Sequence, residues 1–211
     1  MRGLIFICAC LLHSDAFTLR PARERYSSSP LKLTIAAEKS PHESPRCYVV
    51  ISNLQSGSNV GSICRNALAF NAHEVIVVGR RNFRDKMRQA DRGAKERLRF
   101  VHVNSVADAR AYLKAPGVDA TIIGIEILDD AVPLTAQPFS APSTAFMFGN
   151  EGGGLSERQR EACDRFAYIP QYAADGGMAS INVACASAVV LQAFAAWAKY
   201  PETQRVGEKF I

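Results

Sequence analysis

The segment Phe146–Leu155, with the sequence FMFGNEGGGL, joins an apolar run to a loop that has glycine at four of six positions. A second glycine-bearing loop, GGMASINV at residues 176–183, precedes a long apolar segment. Glycine allows a backbone to approach a ligand closely or to adopt a positive φ. Two such loops at strand-to-helix junctions predict one shared ligand site. The alternative is that each loop is only a tight turn.

These loops match neither of the common nucleotide-binding fingerprints. The chain contains no G-x-G-x-x-G with an acidic residue at the ribose-binding distance, and no G-x-x-x-x-G-K-[ST]. The sequence therefore excludes a P-loop and gives no support for a dinucleotide site of the Rossmann type.

Length and composition describe a globular protein with an excess of basic residues. The 211 residues allow one domain with a hydrophobic core and an additional extension. A hydrophobic fraction of 48% is typical of a folded chain. The net charge of +5 and the pI of about 9.0 favour an anionic partner.

The cysteines have no pattern that indicates a metal site. Cys8 and Cys10 lie in the N-terminal leader. The other four have neither C-x-x-C spacing nor paired histidines, and they are Cys47, Cys64, Cys163 and Cys185. We therefore expect no bound metal, and we expect these four to be buried thiols of a protein in a reducing compartment.

The N-terminal residues predict a targeting leader. Residues 1–16 have a basic start, a short apolar run and small residues before a cut after Ala16, as in a secretory signal peptide. Residues 17–45 begin at Phe17, have transit-peptide composition and end in a disordered lead-in. The combination resembles the leader of proteins sent to the complex plastids of algae, with mitochondrial and secretory routes as alternatives. The apolar run is too short for a membrane span, so we expect none in the mature protein.

Apolar runs and their periodicity predict alternating strands and helices. The predicted strands are residues 47–51, 74–78, 100–103, 120–125, 144–148 and 166–169. The predicted helices are residues 60–70 with Asn59 as N-cap, 106–113, 157–163 and 182–200. This alternation predicts an α/β domain with a mostly parallel sheet flanked by helices. The last helix is apolar on nearly every side, so it lies either deep in the core or against a partner subunit.

Residues 79–99 are the most basic part of the chain. They predict either a solvated surface or a phosphate-binding surface for RNA. The candidate RNA-binding residues are Arg80, Arg81, Arg84, Lys86 and Arg88. Phe83 is the single aromatic residue between positions 79 and 99, which argues against a platform for stacking single-stranded bases.

Three motifs follow one another along the chain: NVGSICRNA at residues 59–67, FGNEGGGLS at 148–156 and SINVA at 180–184. Together they resemble the SpoU/TrmH family of the SPOUT class, whose members use S-adenosylmethionine to methylate ribose 2′-hydroxyls in tRNA or rRNA. The resemblance is to a single-domain branch found in plants and bacteria. It covers residues 46–200 and leaves 201–211 as a C-terminal tail. It implies a homodimer and a SPOUT fold whose C-terminal part forms a deep trefoil knot.

The resemblance also implies which residues form the site. The implied catalytic residues are Asn59, Arg65, Glu151, Ser180 and Asn182. The implied contacts to S-adenosylmethionine are Gly149, Asn150, Gly152, Gly154, Leu155, Ile169, Pro170, Ile181 and Asn182. Glu151 is expected to position Arg65 or a neighbouring loop. Ser180 and Asn182 have a simpler alternative role as helix caps.

Arg65 is expected to face the target ribose. Arginine stays protonated, so it is a poor base. We therefore expect it to bind phosphate and to stabilise charge on the reacting oxygen. The alternative is a surface arginine that forms only a salt bridge.

Several positions depart from the family pattern. Asn71 stands where glycine is usual, Ile181 replaces leucine, and Ala184–Cys185 replaces a Ser/Thr–Val pair. Residues 84–93 also differ from the branch, which leaves the RNA substrate open. Two other functions are therefore kept as alternatives: an RNA-binding protein of this fold without catalysis, and a different α/β enzyme with a phosphate ligand.

Overall fold

The structure, a computed structural model, describes residues 44–79, 93–174, 176 and 178–210. The predictions made for leader residues 1–43 lie outside this range. So do those for the five candidate RNA-binding residues, which are Arg80, Arg81, Arg84, Lys86 and Arg88.

The described residues form strands and helices in alternation. The strands are β1 Arg46–Ile51, β2 Glu74–Val78, β3 Phe100–Val103, β4 Ala120–Ile125, β5 Val132–Pro133, β6 Ser143–Phe148, β7 Arg165–Tyr168, β8 Arg205–Val206 and β9 Lys209–Phe210. The helices are α1 Gly57–Ala69, α2 Ala94–Arg97, α3 Val106–Leu113, α4 Glu157–Ala162 and α5 Val183–Trp197, with a 3-10 turn at Leu134–Ala136. In this part of the chain no helix has the length and hydropathy needed to cross a membrane.

Seven strands form one sheet in the order β3-β2-β1-β6-β4-β7-β5. Every neighbouring pair in this sheet is parallel. The predicted α/β architecture with a mostly parallel sheet is therefore confirmed. Parallel strands bring their carboxyl ends to one edge, and in open α/β sheets ligands bind in the crevice at that edge. The loop after β6 begins at Gly149, so it lies at this edge.

Helices pack on both faces of the sheet. On β1, Val49 belongs to one core cluster and Val50 to the other, because successive side chains of a strand point to opposite faces. Ile63 of α1 and Phe194 of α5 lie in the first cluster. Leu113 of α3 lies in the second. Since both faces of the sheet are covered, the sequences of the central strands are nearly continuous runs of apolar residues.

The start of α1 differs from the prediction. The helix begins at Gly57, and its N-cap is Ser56, whose side chain accepts a hydrogen bond from the Asn59 backbone N–H. The prediction that Asn59 is the N-cap is therefore wrong. Both residue types cap helices well, so the sequence alone could not choose between them. The Asn59 side chain is left available for a tertiary contact.

Helix α5 is buried on one side only. Cys185, Val189, Gln192 and Ala196 follow one another at helical spacing and are exposed. Of the two alternatives for this helix, a position deep in the core is therefore wrong, and contact with a partner subunit stays a prediction. Gln192 is the one polar residue among these four, which is too weak a signal to mark this face as the outer one from the sequence. The prediction of buried cysteines is likewise wrong for Cys185, and Cys163 is only half-buried.

The C-terminal segment also contains structure that the sequence pattern does not indicate. Strands β8 and β9 form a short antiparallel hairpin within the tail, residues 201–211. Each has two residues, too few for a periodic pattern to appear. The prediction that the strand at residues 166–169 is the last one is therefore wrong, because β8 and β9 follow β7.

Asp164 connects β4 to α3 on the second face of the sheet. Its carboxylate accepts a hydrogen bond from the Ile122 backbone N–H at 2.8 Å and forms ion pairs with Lys114 and Arg110. Partial burial alone would raise the pKa of Asp164. The hydrogen bonds from Ile122, Lys114 and Arg110 outweigh burial and hold this pKa below its ordinary value.

We expect Asp164→Asn to lower the free energy of unfolding at pH 7 by roughly 1–2 kcal/mol, because these donors lose their anionic acceptor. A carboxyl whose pKa is lower in the folded state contributes stability above its unfolded pKa, about 3.9, and loses it as the pH falls through the folded pKa. The difference between wild type and variant should therefore shrink below about pH 4. Urea unfolding at pH 7 and pH 3 measures this. An equal effect of Asp129→Asn, which alters an exposed carboxylate, would contradict the prediction.

Candidate active site

A cavity of about 630 Å³ opens at the carboxyl ends of β4, β6 and β7. Its walls come from the strand ends, the loop after β6 and the segment that leads into α5. Both glycine-bearing loops contribute, as the sequence predicts. Of the predicted cofactor contacts, seven line this cavity: Gly149, Asn150, Gly152, Gly154, Ile169, Ile181 and Asn182. Pro170 is not among the lining residues, and the Leu155 side chain is buried in the second core cluster.

The loop after β6 closes on itself. The backbone N–H of Asn150 donates to the Gly154 carbonyl at 2.8 Å, and the N–H of Gly154 donates back to Asn150 at 3.1 Å. A Cβ on Gly149 would lie 2.4 Å from the Gly154 carbonyl carbon, so only glycine fits there. Gly154 adopts a φ of +65°, which other residues rarely adopt. Glycine at these two positions is therefore required by the loop itself.

Gly152 and Gly153 are different, because a Cβ on either would meet no protein atom closer than 3.7 Å. Neither has a positive φ. Both line the cavity, so their missing side chains leave space for a ligand rather than for the protein.

A chain of hydrogen bonds joins three segments beside the cavity. Glu151 accepts from the Asn59 side chain at 2.9 Å and from the backbone N–H groups of Ser56 and Gln55 at 3.1 and 3.3 Å. The Asn182 side chain donates to the Asn59 side-chain oxygen at 3.1 Å. Asn182 is also the N-cap of α5 and accepts from the Ala184 N–H at 2.8 Å. The start of α1, the glycine loop and the start of α5 are thereby held together.

The same contacts stabilise the charge of Glu151. Partial burial alone would raise the pKa of this carboxyl. The hydrogen bonds from Asn59 and from the backbone, including Ser56 and Gln55, together outweigh burial and lower the pKa below its ordinary value. These contacts tie Glu151 to the start of α1 and to the residues just before it. Its expected role, to position Arg65 or a neighbouring loop, stays a prediction.

Arg65 and Ser180 complete the set of predicted catalytic residues. Arg65 lies exposed on α1, and its side chain makes no hydrogen bond or ion pair with any residue that the structure describes. Its guanidinium is therefore available for an external ligand. Ser180 is exposed and lines the cavity, and the N-cap role considered for it belongs to Asn182.

Asn66, the residue after Arg65, is a further link between α1 and α5. Its side-chain nitrogen donates to the Ala184 carbonyl at 2.9 Å and to the Ser187 hydroxyl at 2.8 Å. Asn66 and Asn59 are seven residues apart, two helical turns, so they lie on the same side of α1. The face of α1 that carries both asparagines is thus fixed against α5.

A model of the SpoU rRNA methylase family matches residues 46–192 of the chain. The chain belongs to the SpoU family. The match contains both glycine-bearing loops and all members of the Asn59–Glu151–Asn182 hydrogen-bond network. The predicted family membership is confirmed.

Similar proteins include two RNA-modifying enzymes. The SpoU chain is 29% identical over 135 residues to the 23S rRNA (guanosine-2′-O-)-methyltransferase RlmB of Acinetobacter baylyi, covering 63% of this chain and 52% of that protein. It is 26% identical over 163 residues to the tRNA (guanosine(18)-2′-O)-methyltransferase of Escherichia coli, covering 77% of this chain and 69% of that protein. The chain therefore spans about half the length of the first relative.

A solved structure has the same fold. The SpoU methyltransferase AviRb from Streptomyces viridochromogenes, in complex with the cofactor AdoMet, matches with a TM-score of 0.64 and 25% identity. The match covers 76% of this chain and 60% of that one.

Glu126 is a cavity residue that the sequence motifs do not indicate. It directly follows β4, and its carboxylate accepts hydrogen bonds from the backbone N–H groups of Leu155 at 2.7 Å and Ile127 at 3.3 Å. A Cβ on Gly154 would lie 2.2 Å from the Glu126 Oε2. An acidic residue at the carboxyl end of a strand is a signal for a ligand site, but only once the strand is known to neighbour β6.

Proposed function

We propose that this SpoU protein transfers a methyl group from S-adenosylmethionine to a ribose 2′-hydroxyl of tRNA or rRNA. The observation that carries the proposal is the cavity between the two glycine-bearing loops, bordered by the Asn59–Glu151–Asn182 network. The names of the two relatives describe this reaction on 23S rRNA and on tRNA.

The cavity fits S-adenosylmethionine. Its volume of about 630 Å³ lies within the range of small-molecule and cofactor sites, roughly 300–1,000 Å³. Gly152 and Gly153 leave backbone accessible in its wall, and Ile169 and Ile181 add apolar surface. These groups suit a ligand with an aromatic base, a ribose and a polar tail.

When bound, S-adenosylmethionine would supply an electrophilic methyl group on a positively charged sulfur. The chain would supply position and charge. Arg65 would bind a phosphate near the target ribose and stabilise the negative charge that develops on the 2′-oxygen as its proton leaves to water. Glu151, Asn59 and Asn182 would hold α1, which carries Arg65, in a fixed position against the cavity.

Assembly, threading and location are part of the proposal. We infer a homodimer in which the exposed apolar face of α5 contacts a second copy, because Val189 is 43% exposed there.

We also propose a C-terminal trefoil knot, RNA contacts from Arg80, Arg81, Arg84, Lys86 and Arg88, and a plastid location directed by the leader. The net charge of +5 supports an RNA partner.

The test is a transfer assay with the full chain, S-adenosylmethionine labelled in the methyl group, and unmodified tRNA or rRNA. We expect label in one RNA class, with nuclease digestion mapping it to a ribose 2′-oxygen. The same RNA with 2′-deoxyribose at the mapped nucleotide is the matched control and should accept no label. RNA binding without binding of S-adenosylmethionine would contradict the proposal and favour the non-catalytic RNA-binding alternative.

A further inference from the structure

Two carboxylates, Glu126 and Glu151, line the cavity. Among the described lining residues there is no lysine or arginine, and in the described part of the chain neither carboxylate forms an ion pair. The cavity wall is therefore negative in a protein whose net charge is +5. This sign is the opposite of what an RNA-binding surface needs, so the cavity wall suits a positively charged small ligand better than RNA.

The two carboxylates differ in how many hydrogen bonds they accept from the protein. Glu151 receives three hydrogen bonds from Asn59, Ser56 and Gln55. Glu126 receives two backbone hydrogen bonds, from Leu155 and Ile127. A carboxylate offers about four acceptor positions, so Glu126 has more capacity left for a ligand. It also comes from a different strand end, across the glycine loop from α1.

Charge is what most distinguishes the substrate cofactor from its product. In methyl transfer the 2′-oxygen forms the new O–CH₃ bond, the C–S bonding pair goes to sulfur, and the hydroxyl proton leaves to water. S-adenosylmethionine, with its sulfonium, thereby becomes S-adenosylhomocysteine, a neutral thioether. The two ligands otherwise have the same base, ribose and amino-acid tail, so contacts to those parts cannot discriminate between them.

We propose that Glu126 makes the cavity select the positively charged cofactor over its neutral product, so that transfer of the methyl group itself weakens binding and promotes product release. This inference rests on the proposed function. A sphere of the cavity's volume, about 630 Å³, is about 11 Å across. A charge anywhere inside therefore lies within about one Debye length of Glu126, where electrostatic attraction is still effective.

The test is calorimetric binding of three ligands to the full chain without RNA. The ligands are S-adenosylmethionine, S-adenosylhomocysteine and sinefungin, which carries a protonated amine in place of the methylsulfonium. In Glu126→Gln we expect the Kd of both cationic ligands to rise on the order of tenfold and the Kd of the neutral product to change less than about twofold. Glutamine keeps an oxygen that accepts from the Leu155 N–H, so the loop retains its contact. Asp130→Asn, which alters an exposed carboxylate after β4 and outside the cavity wall, should leave all three Kd values unchanged.

Equal weakening of all three ligands by Glu126→Gln would overturn the inference, because Glu126 would then act only by holding the glycine loop. If this variant does not fold, the Kd values of the three ligands for the wild-type protein test the inference on their own. It must bind both cationic ligands at least about tenfold more tightly than the product in low salt, with a margin that shrinks as salt is added. Equal affinities would overturn the inference and leave the proposed function intact. Binding of none of the three ligands by wild type would overturn both.

Discussion

Arg65→Ala is expected to lower the rate of methyl transfer by roughly 100-fold or more, while the Kd of S-adenosylmethionine stays within about twofold of wild type. Arg65 is exposed on α1 and has no partner among the described residues, so its removal leaves no buried group unsatisfied. It is also absent from the cavity wall. The loss should therefore fall on the RNA-dependent step and not on binding of the cofactor.

Single-turnover assays with saturating RNA, together with calorimetry of S-adenosylmethionine binding, separate these two quantities. Arg158→Ala is the matched control, because Arg158 is an exposed arginine on α4 outside the cavity wall. It should retain wild-type activity. Arg65→Lys tests whether the planar fork matters as well as the charge, since lysine cannot bind phosphate in the same bidentate way. Retention of activity by Arg65→Ala would remove this residue from the proposed mechanism.

Phe194→Ala is expected to lower the free energy of unfolding by roughly 3–5 kcal/mol, the largest stability change that we predict. Phe194 is fully buried, and its ring packs against Phe139, Phe146, Trp197 and Tyr200 with centroid separations of 5.5–5.9 Å. Alanine would leave a cavity at the centre of this cluster. It would also remove edge-to-face contacts of the kind that aromatic rings prefer.

Urea unfolding followed by circular dichroism measures the change. Phe210→Ala is the matched control, because it deletes the same atoms from a ring that is 63% exposed in the C-terminal hairpin. It should change the free energy of unfolding by less than about 0.5 kcal/mol. A loss below about 1 kcal/mol in Phe194→Ala would mean that the core relaxes around this position and that α5 is held by its other contacts.

Regular segments of the fold could be predicted closely from the sequence. Strands 74–78, 100–103 and 120–125 and helix 106–113 agree with the structure at both ends. Helix α3 is preceded by Ser105, whose side chain accepts from the Asp108 N–H while the Asp108 carboxylate accepts from the Ser105 N–H. Such local signals are complete within a few residues, and nothing distant has to be known to interpret them.

Features that depend on distant partners could not be predicted in the same way. One example is the N-cap of α1. The Asn59 side chain donates a hydrogen bond to Glu151, which is 92 residues away in the chain, while Ser56 caps the helix. Which side of α5 faces solvent is decided by how it packs on α1. The glycine loops identified the cavity, but Glu126 belongs to it only because β4 lies beside β6 in the sheet.

The hydrogen bond between Asn59 and Asn182 joins residues that are 123 positions apart in the chain. At roughly 5–20 residues per second, a ribosome needs about 6–25 s to synthesise the second of them after the first. Throughout that interval the newly made α1 lacks α5, and its inner face, including Ile63 and Ala67, has no cover from that helix. The nascent protein therefore passes through a period in which the site is incomplete and the apolar face of α1 is exposed. A chaperone that covers this face would protect the chain from aggregation during that period.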